Sequence, residues 1–223
     1  MPVILRVDVD NAYSTTSLNY LKLNWYFPNI GKLGYLKHLK DLIQNLDDRG
    51  VGATFFFKTK TIPDQVSLLN KHELGLHVVY ANDYEAFKRE LTHVSKKIGT
   101  TLRGFSKHGS GTIKLARRHY WQYTPEVYIE WANRAHLDYF SGNRTDPAEP
   151  PVKYNSITYF PSAFWVNEIY REKKFDIKWL VEFSTNNQVV VLVHPLNWAV
   201  NPRVRKGFEN IMNKIDKFSF YPS

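Results

Sequence analysis

The chain contains no cysteine, which excludes disulfides, thiolate nucleophiles and Cys-ligated zinc or iron–sulfur sites together. Any metal must be held by histidine and carboxylate. No stretch approaches the ~18 consecutive apolar residues of a membrane span, so no membrane partner is expected. The opening Met1-Pro2-Val3-Ile4-Leu5-Arg6-Val7-Asp8 has no basic leader, long apolar segment or small-residue cleavage site, and a cytoplasmic location is the expectation. Internal repeats, low-complexity tracts and glycine fingerprints for a nucleotide cofactor are also missing. The net charge of +9 favours anionic partners in general. Yet the lysines and arginines are scattered, with no basic stripe interleaved with aromatics, so no nucleic-acid partner is expected.

What is present suits one globular domain over residues 1–223, with 43% apolar and 15% aromatic residues to bury. Residues 3–10 are rich in β-branched side chains and alternate at their end, with Asp8 and Asp10 on one side of a strand and Val7 and Val9 on the other. Leu33, Leu36, Leu39, Ile43 and Leu46 recur at helical spacing, Gly50 marks a stop, and residues 53–57 follow as a buried strand. The pattern predicts a short strand over 73–80 carrying His77, then a helix over 83–98 capped by Asp83 and ended by Gly99. Residues 102–105 predict a strand running into the polar loop Lys107-His108-Gly109-Ser110-Gly111. Residues 136–141 predict another, making Asp138 a minor site candidate. The three prolines of 142–151 predict a long loop, and 189–193 form an emphatic strand closed by His194-Pro195.

Strands alternating with helices predict a parallel sheet, whose functional residues collect beyond the strand C-termini. Asp8, Asp10, His77, His108 and His194 each fall at or just after such an end, so one rim of the sheet gathers all five. Histidines and a carboxylate with open coordination positions suit zinc, iron or another divalent ion that activates water or polarises a carbonyl. An Asp taking a proton from water and a His giving one to the leaving group amount to ester or amide hydrolysis. The plainer reading is that a strand-end Asp forms a turn and a buried His satisfies backbone groups. Trp25, Tyr26, Tyr80, Trp165 and Trp198 lie near the predicted site loops, and sugar rings stack on such faces. Tyr80 and Trp198 are the aromatic residues assigned to substrate.

Asp8-Val9-Asp10, Gly52-Ala53-Thr54-Phe55-Phe56-Phe57, His72-Glu73-Leu74-Gly75-Leu76-His77 and Leu192-Val193-His194 resemble, in order and spacing, the successive motifs of the polysaccharide deacetylase family, the NodB homology domain. The resemblance covers residues 3–110 and 188–198. It implies an α/β fold, a distorted and incomplete (β/α) barrel, and metal-dependent removal of N- or O-acetyl groups from carbohydrate. Residue by residue, it implies Asp8 as catalytic base, Asp10 as metal-binding aspartate, His77 as first metal-binding histidine and His194 as catalytic acid. It also implies Leu192 as the apolar residue of the acetyl pocket.

Two departures stand out. The family's second metal-binding histidine, four residues after the first, is Ala81 here, and the Arg-Pro-Pro-type motif whose arginine orients the base is replaced by Ser106-Lys107-His108-Gly109. The third ligand therefore has three readings: His108, Asp83, or a site that binds weakly or not at all. His108 is favoured, because a glycine-rich loop leaves it free to reach inward while Asp83 has a helix to cap. The expected function is a metal-dependent hydrolase of an acylated carbohydrate or related amide, with Asp10, His77 and His108 holding a divalent ion, zinc by preference. The alternative, favoured by Ala81, is a catalytically inactive carbohydrate-binding or assembly module on the same barrel. Residues 112–187 match nothing and are assigned to specificity and barrel closure.

Overall fold

The computed structural model describes residues 3–10, 35–79, 81–108 and 124–222. Strand β1 (Val3–Val9), buried along its whole length, lies inside the sheet. After it come α1 (Tyr35–Asp48), β2 (Thr54–Phe57), β3 (Glu73–Val78), α2 (Tyr84–Ile98), β4 (Gly104–Lys107), α3 (Pro125–Arg134) and β5 (Tyr139–Arg144). The second half holds β6 (Val152–Tyr154), β7 (Ile157–Ser162), β8 (Phe164–Trp165), α4 (Ile177–Ser184), β9 (Val190–Val193), α5 (Pro195–Val200), α6 (Pro202–Lys214) and β10 (Phe218–Ser219). The strand order is β6-β7-β5-β4-β3-β2-β1-β9-β8, with β10 beside the first residues of β1. Among the described residues only the β6–β7 pairing is antiparallel. Among the described residues the two ends of this order do not pair, and the curled sheet is an incomplete (β/α) barrel.

Elementary patterning explains the pieces. In α1, Leu39, Leu42, Ile43 and Leu46 are buried at the i, i+3, i+4, i+7 positions of one helical face. Asp83 caps α2, its Oδ1 accepting the Ala86 N–H at 2.7 Å, and Gly99 ends that helix in the left-handed conformation (φ 80°). Alternate strand positions then build two cores. Outward residues such as Phe55, Phe57, Leu76, Phe105 and Phe140 pack against the helices. Inward residues Ile4, Phe56, Tyr139, Phe160, Val190 and Leu192 form a second cluster around Tyr221. That cluster joins β7 to β9, from opposite halves of the strand order, as only a curled sheet permits. Tyr221, from the C-terminal tail, stacks on Tyr139 (ring centroids 4.1 Å apart) and meets Phe160 edge-on.

Gly104 faces this interior, where an added Cβ would lie 2.3 Å from the Tyr139 ring. Gly104→Ala is therefore expected to lower stability by about 1–3 kcal/mol through overpacking, read as a lower urea midpoint at unchanged slope.

Three strands sit off their predicted positions. β3 stops at Val78, β4 begins two residues late at Gly104, and β5 runs over Tyr139–Arg144 instead of 136–141. The β5 shift puts Asp138 at the N-terminal end of its strand, where Arg103 Nε holds it at 2.8 Å, away from the rim that carries the other candidates. β6, β7, β8 and α4 arise in the region whose sequence matched nothing. Among the described residues no helix is long and apolar enough to cross a membrane.

Candidate metal centre

Parallel register stacks the inward side chains in layers up the barrel. Arg6 pairs with Thr54 and Leu192, Asp8 with Phe56, His77 with Ser106, and Ser106 with Ser141. Asp10, Lys58, His108 and His194 are each the residue immediately after β1, β2, β4 and β9. Four strand ends thus deliver one carboxylate, one ammonium and two imidazoles to a single rim, with His77 reaching it from inside β3.

The distances are short. Asp10 Oδ1 lies 2.7 Å from His108 Nδ1 and 3.2 Å from His77 Nε2, and the two ring nitrogens are 3.0 Å apart. These ligand atoms all fall within 4.8 Å of one another. His194 Nε2 is 3.5 Å from Asp10 Oδ2. Asp10 Oδ1 is buried among these nitrogens and the Lys58 ammonium, whose Nζ is 2.7 Å away, so cationic charge already faces it. A tetrahedral zinc with ligands at about 2.0–2.1 Å separates its donors by roughly 3.3 Å, so the donor set fits once Asp10 and His108, at 2.7 Å, move apart by roughly half an ångström.

Hydrogen bonding behind the centre links His77 to Asp8. Ser106 Oγ lies 3.3 Å from Asp8 Oδ1 and 2.7 Å from His77 Nδ1, and with its one hydrogen given to Asp8 both contacts are hydrogen bonds in the tautomer that carries the proton on His77 Nδ1. In that tautomer His77 Nε2 directs a lone pair at Asp10 and His108, the form in which imidazole ligates metal. Burial by itself would raise the Asp10 carboxyl, but the neighbouring His108, His77 and His194 outweigh it and hold the carboxyl well below the usual range. Burial pulls His108 down, against an opposing pull from Asp10. An ionised Asp10 and a neutral His108 at neutral pH are the protonation states metal ligation needs.

One layer down, Arg6 closes on Asp8. Arg6 Nε and Nη2 donate to Asp8 Oδ1 and Oδ2 at 2.9 and 2.6 Å. Its remaining hydrogens go to Ser141 Oγ (3.0 Å), Gly142 O (2.5 Å) and Asn143 Oδ1 (2.7 Å), and the Tyr221 hydroxyl donates to Ser141 Oγ. Arg6 and Asp8 are 0% and 1% exposed. Burial would raise the Asp8 carboxyl, but Arg6, with His77 and His194 adding, brings it below the ordinary value. The arginine that meets Asp8 therefore comes from the strand of Asp8 itself. Sequence reasoning missed Arg6, Ser106 and Lys58. Arg6 was legible, since it shares the parity of Asp8 and Asp10 on an apolar strand.

Other candidates are placed as follows. His108 joins Asp10 and His77, though not from a free loop: it directly follows β4, and its N–H donates to Val78 O at 2.9 Å. Asp83 caps α2, and Ala81 is buried in the outer core. His72 Nδ1 accepts the Ala53 N–H, a structural role. Leu192 lies in the inner cluster two residues before His194. Trp165 stacks against the His194 ring at 5.7 Å between centroids. Trp198, expected at the substrate, is instead 2% exposed in the outer core, against Phe208 and under Arg205. A ring enclosed in this way has no face to offer a sugar. Tyr80, Trp25, Tyr26 and Gly109 lie outside the described residues.

No protein-family model matches the sequence, and no curated protein matches it either. Solved structures do. A Puue allantoinase is similar at a TM-score of 0.61 and 10% identity, over 95% of this chain and 83% of that one. A Mycobacterium smegmatis protein described as a polysaccharide deacetylase gives 0.57 and 13% over 98% and 86% of the two chains. Its counterpart from Pseudomonas aeruginosa PAO1 gives 0.56 and 11% over 99% and 87%. At these identities the likeness shows the fold alone, and the fold is the incomplete barrel of the polysaccharide deacetylases.

Proposed function

We propose that this chain is a metal-dependent hydrolase that removes an acyl group from an N- or O-acetylated carbohydrate or a related amide. The observation that carries the reading is the convergence of Asp10, His77 Nε2 and His108 Nδ1 at the C-terminal rim of the barrel. A divalent ion held by these three residues would supply Lewis acidity toward an acyl carbonyl and toward water, and one carboxylate with two imidazoles suits zinc. The sharing of a fold with polysaccharide deacetylases supports acetylated carbohydrate as the substrate class.

The chain's own residues divide the remaining work. His194, 16% exposed and backed by Trp165, has Nε2 directed at the centre. It takes the proton released by the attacking water and hands it to the departing nitrogen or oxygen, as general base and then general acid. Leu192 lies on the same face two residues deeper and forms part of an apolar floor for a methyl-sized acyl group. Asp8, the residue expected to be the base, is closed to solvent and has both oxygens engaged by Arg6. It serves as a positioning residue, holding Ser106 and through it His77.

Elemental analysis of purified protein tests this reading, followed by acetate release from acetylated oligosaccharides. About one transition ion per chain is expected, with activity lost to a chelator and restored by zinc or cobalt. In Asp10→Ala both metal and activity should disappear. A protein that takes up neither zinc nor cobalt would be a carbohydrate-binding module on the deacetylase barrel, a reading that the sealing of Asp8 by Arg6 favours.

A further inference from the structure

Lys58 has no part in the chemistry described so far, yet its side chain reaches the middle of the centre. Its Nζ lies 2.7 Å from Asp10 Oδ1, the oxygen that also faces His108 Nδ1 at 2.7 Å and His77 Nε2 at 3.2 Å. The register explains the position: Val9 pairs with Phe57, so Lys58 and Asp10 are the next residues on adjacent parallel strands, on the inward side of both. The backbone is fixed as well. Lys58 N–H donates to Thr61 Oγ1 at 2.9 Å, and Lys58 O accepts the Thr61 N–H at 3.0 Å, while Thr61 is 4% exposed. A short turn therefore sets the root of the side chain. Its four-carbon stem leads to an ammonium that is itself largely enclosed, the side chain being 14% exposed.

Resting on the reading of Asp10, His77 and His108 as ligands, we propose that Lys58 is a tethered cation that competes with the metal for Asp10 and so sets the affinity of the centre. Asp10 is the single anionic member of the ligand set, and one carboxylate oxygen cannot be closely neutralised by an ammonium and a divalent ion at once. With no divalent ion bound, Lys58 balances the buried carboxylate. With one bound, the ammonium is displaced toward the mouth of the barrel, and the repulsion between the two cations weakens binding. Lys58 thereby makes the centre weaker than its three ligands alone would make it.

The test compares wild type with Lys58→Met, which keeps the stem and removes the charge, and Lys58→Arg, which keeps the charge. Zinc and cobalt affinities are read by calorimetry and by the visible spectrum of the cobalt form. Lys58→Met is expected to bind both ions roughly tenfold or more tightly than wild type, with Lys58→Arg close to wild type. Thermal unfolding adds a reversal of sign that a packing role does not produce. Lys58→Met should melt below wild type in chelator, where Asp10 is left unbalanced, and at or above it in saturating cobalt. Unchanged or weaker metal binding in Lys58→Met overturns the competition while leaving the metal site standing. Failure of all three proteins to bind either ion overturns the metal reading as well.

Discussion

In His77→Ala, bound metal is expected to fall by more than about 100-fold in affinity, and hydrolysis with it. The scale follows from a comparison within the same hydrogen-bond chain. Partners that merely orient a ligand typically cost 10–100-fold in metal affinity or activity when removed, and Ser106, in hydrogen-bond contact with His77 Nδ1 and Asp8 Oδ1, is such a partner. Ser106→Ala should fall in that interval, while loss of the ligand itself exceeds it. His108→Ala should resemble His77→Ala, because its Nδ1 lies as close to Asp10 Oδ1 as any donor in the set. Dialysis against graded zinc, with elemental analysis of the retained ion, ranks the three variants. An ordering in which His108→Ala retains metal like wild type would remove His108 from the ligand set and leave a two-residue site.

The largest effect on stability is expected from Arg6→Met, at about 3–5 kcal/mol, the range seen when one member of a buried ion pair is deleted. The substitution leaves the Asp8 carboxylate, 1% exposed, without its partner, and strips donors from Ser141, Gly142 O and Asn143. Two controls separate charge from packing. Arg6→Met combined with Asp8→Asn removes both charges and should recover part of the loss. The pH dependence should also invert. In wild type the Asp8 carboxyl is held below its ordinary value, so its stabilising share is full above about pH 4 and is lost as pH falls through the folded value. Without Arg6, burial raises that carboxyl. The folded state then binds the extra proton, and stability falls as pH rises above about 4. Urea midpoints at pH 4.5 and pH 7 should therefore show a larger Arg6→Met penalty at the higher pH, and a penalty equal at both would rule out the buried carboxylate as its source.

That Asp10 and His194 reach the rim was legible because each ends an apolar run, and the end of a parallel strand is where polar side chains gather, whereas His77 lies inside β3 and reaches the rim from there. That His108 and not Asp83 meets Asp10 and His77 was also legible, since Asp83 had a helix to cap and the structure gives it that work. The reason offered for His108 was nevertheless wrong. β4 begins two residues later than its apolar pattern suggests, so His108 is carried by a strand end and tied to Val78 O instead of hanging on a loop. Trp198 failed for a related reason: four residues beyond His194 the chain has already entered α5, whose buried face turns the indole toward the helices.

By itself the sequence determined the kinds of ligand available, the alternation of strand and helix, and the rim on which polar residues collect. All of these follow from residue type and from periodicities a few residues long. Which side chains meet was decided only in three dimensions. Arg6 reaches Ser141 across 135 positions, and Tyr221 fills the barrel from the far end of the chain. Lys58 meets Asp10 because β2 lies beside β1 in that register. Such meetings depend on strand order and on the curl of the sheet, which sum many weak packing preferences over the whole molecule and leave no trace in any local window of sequence.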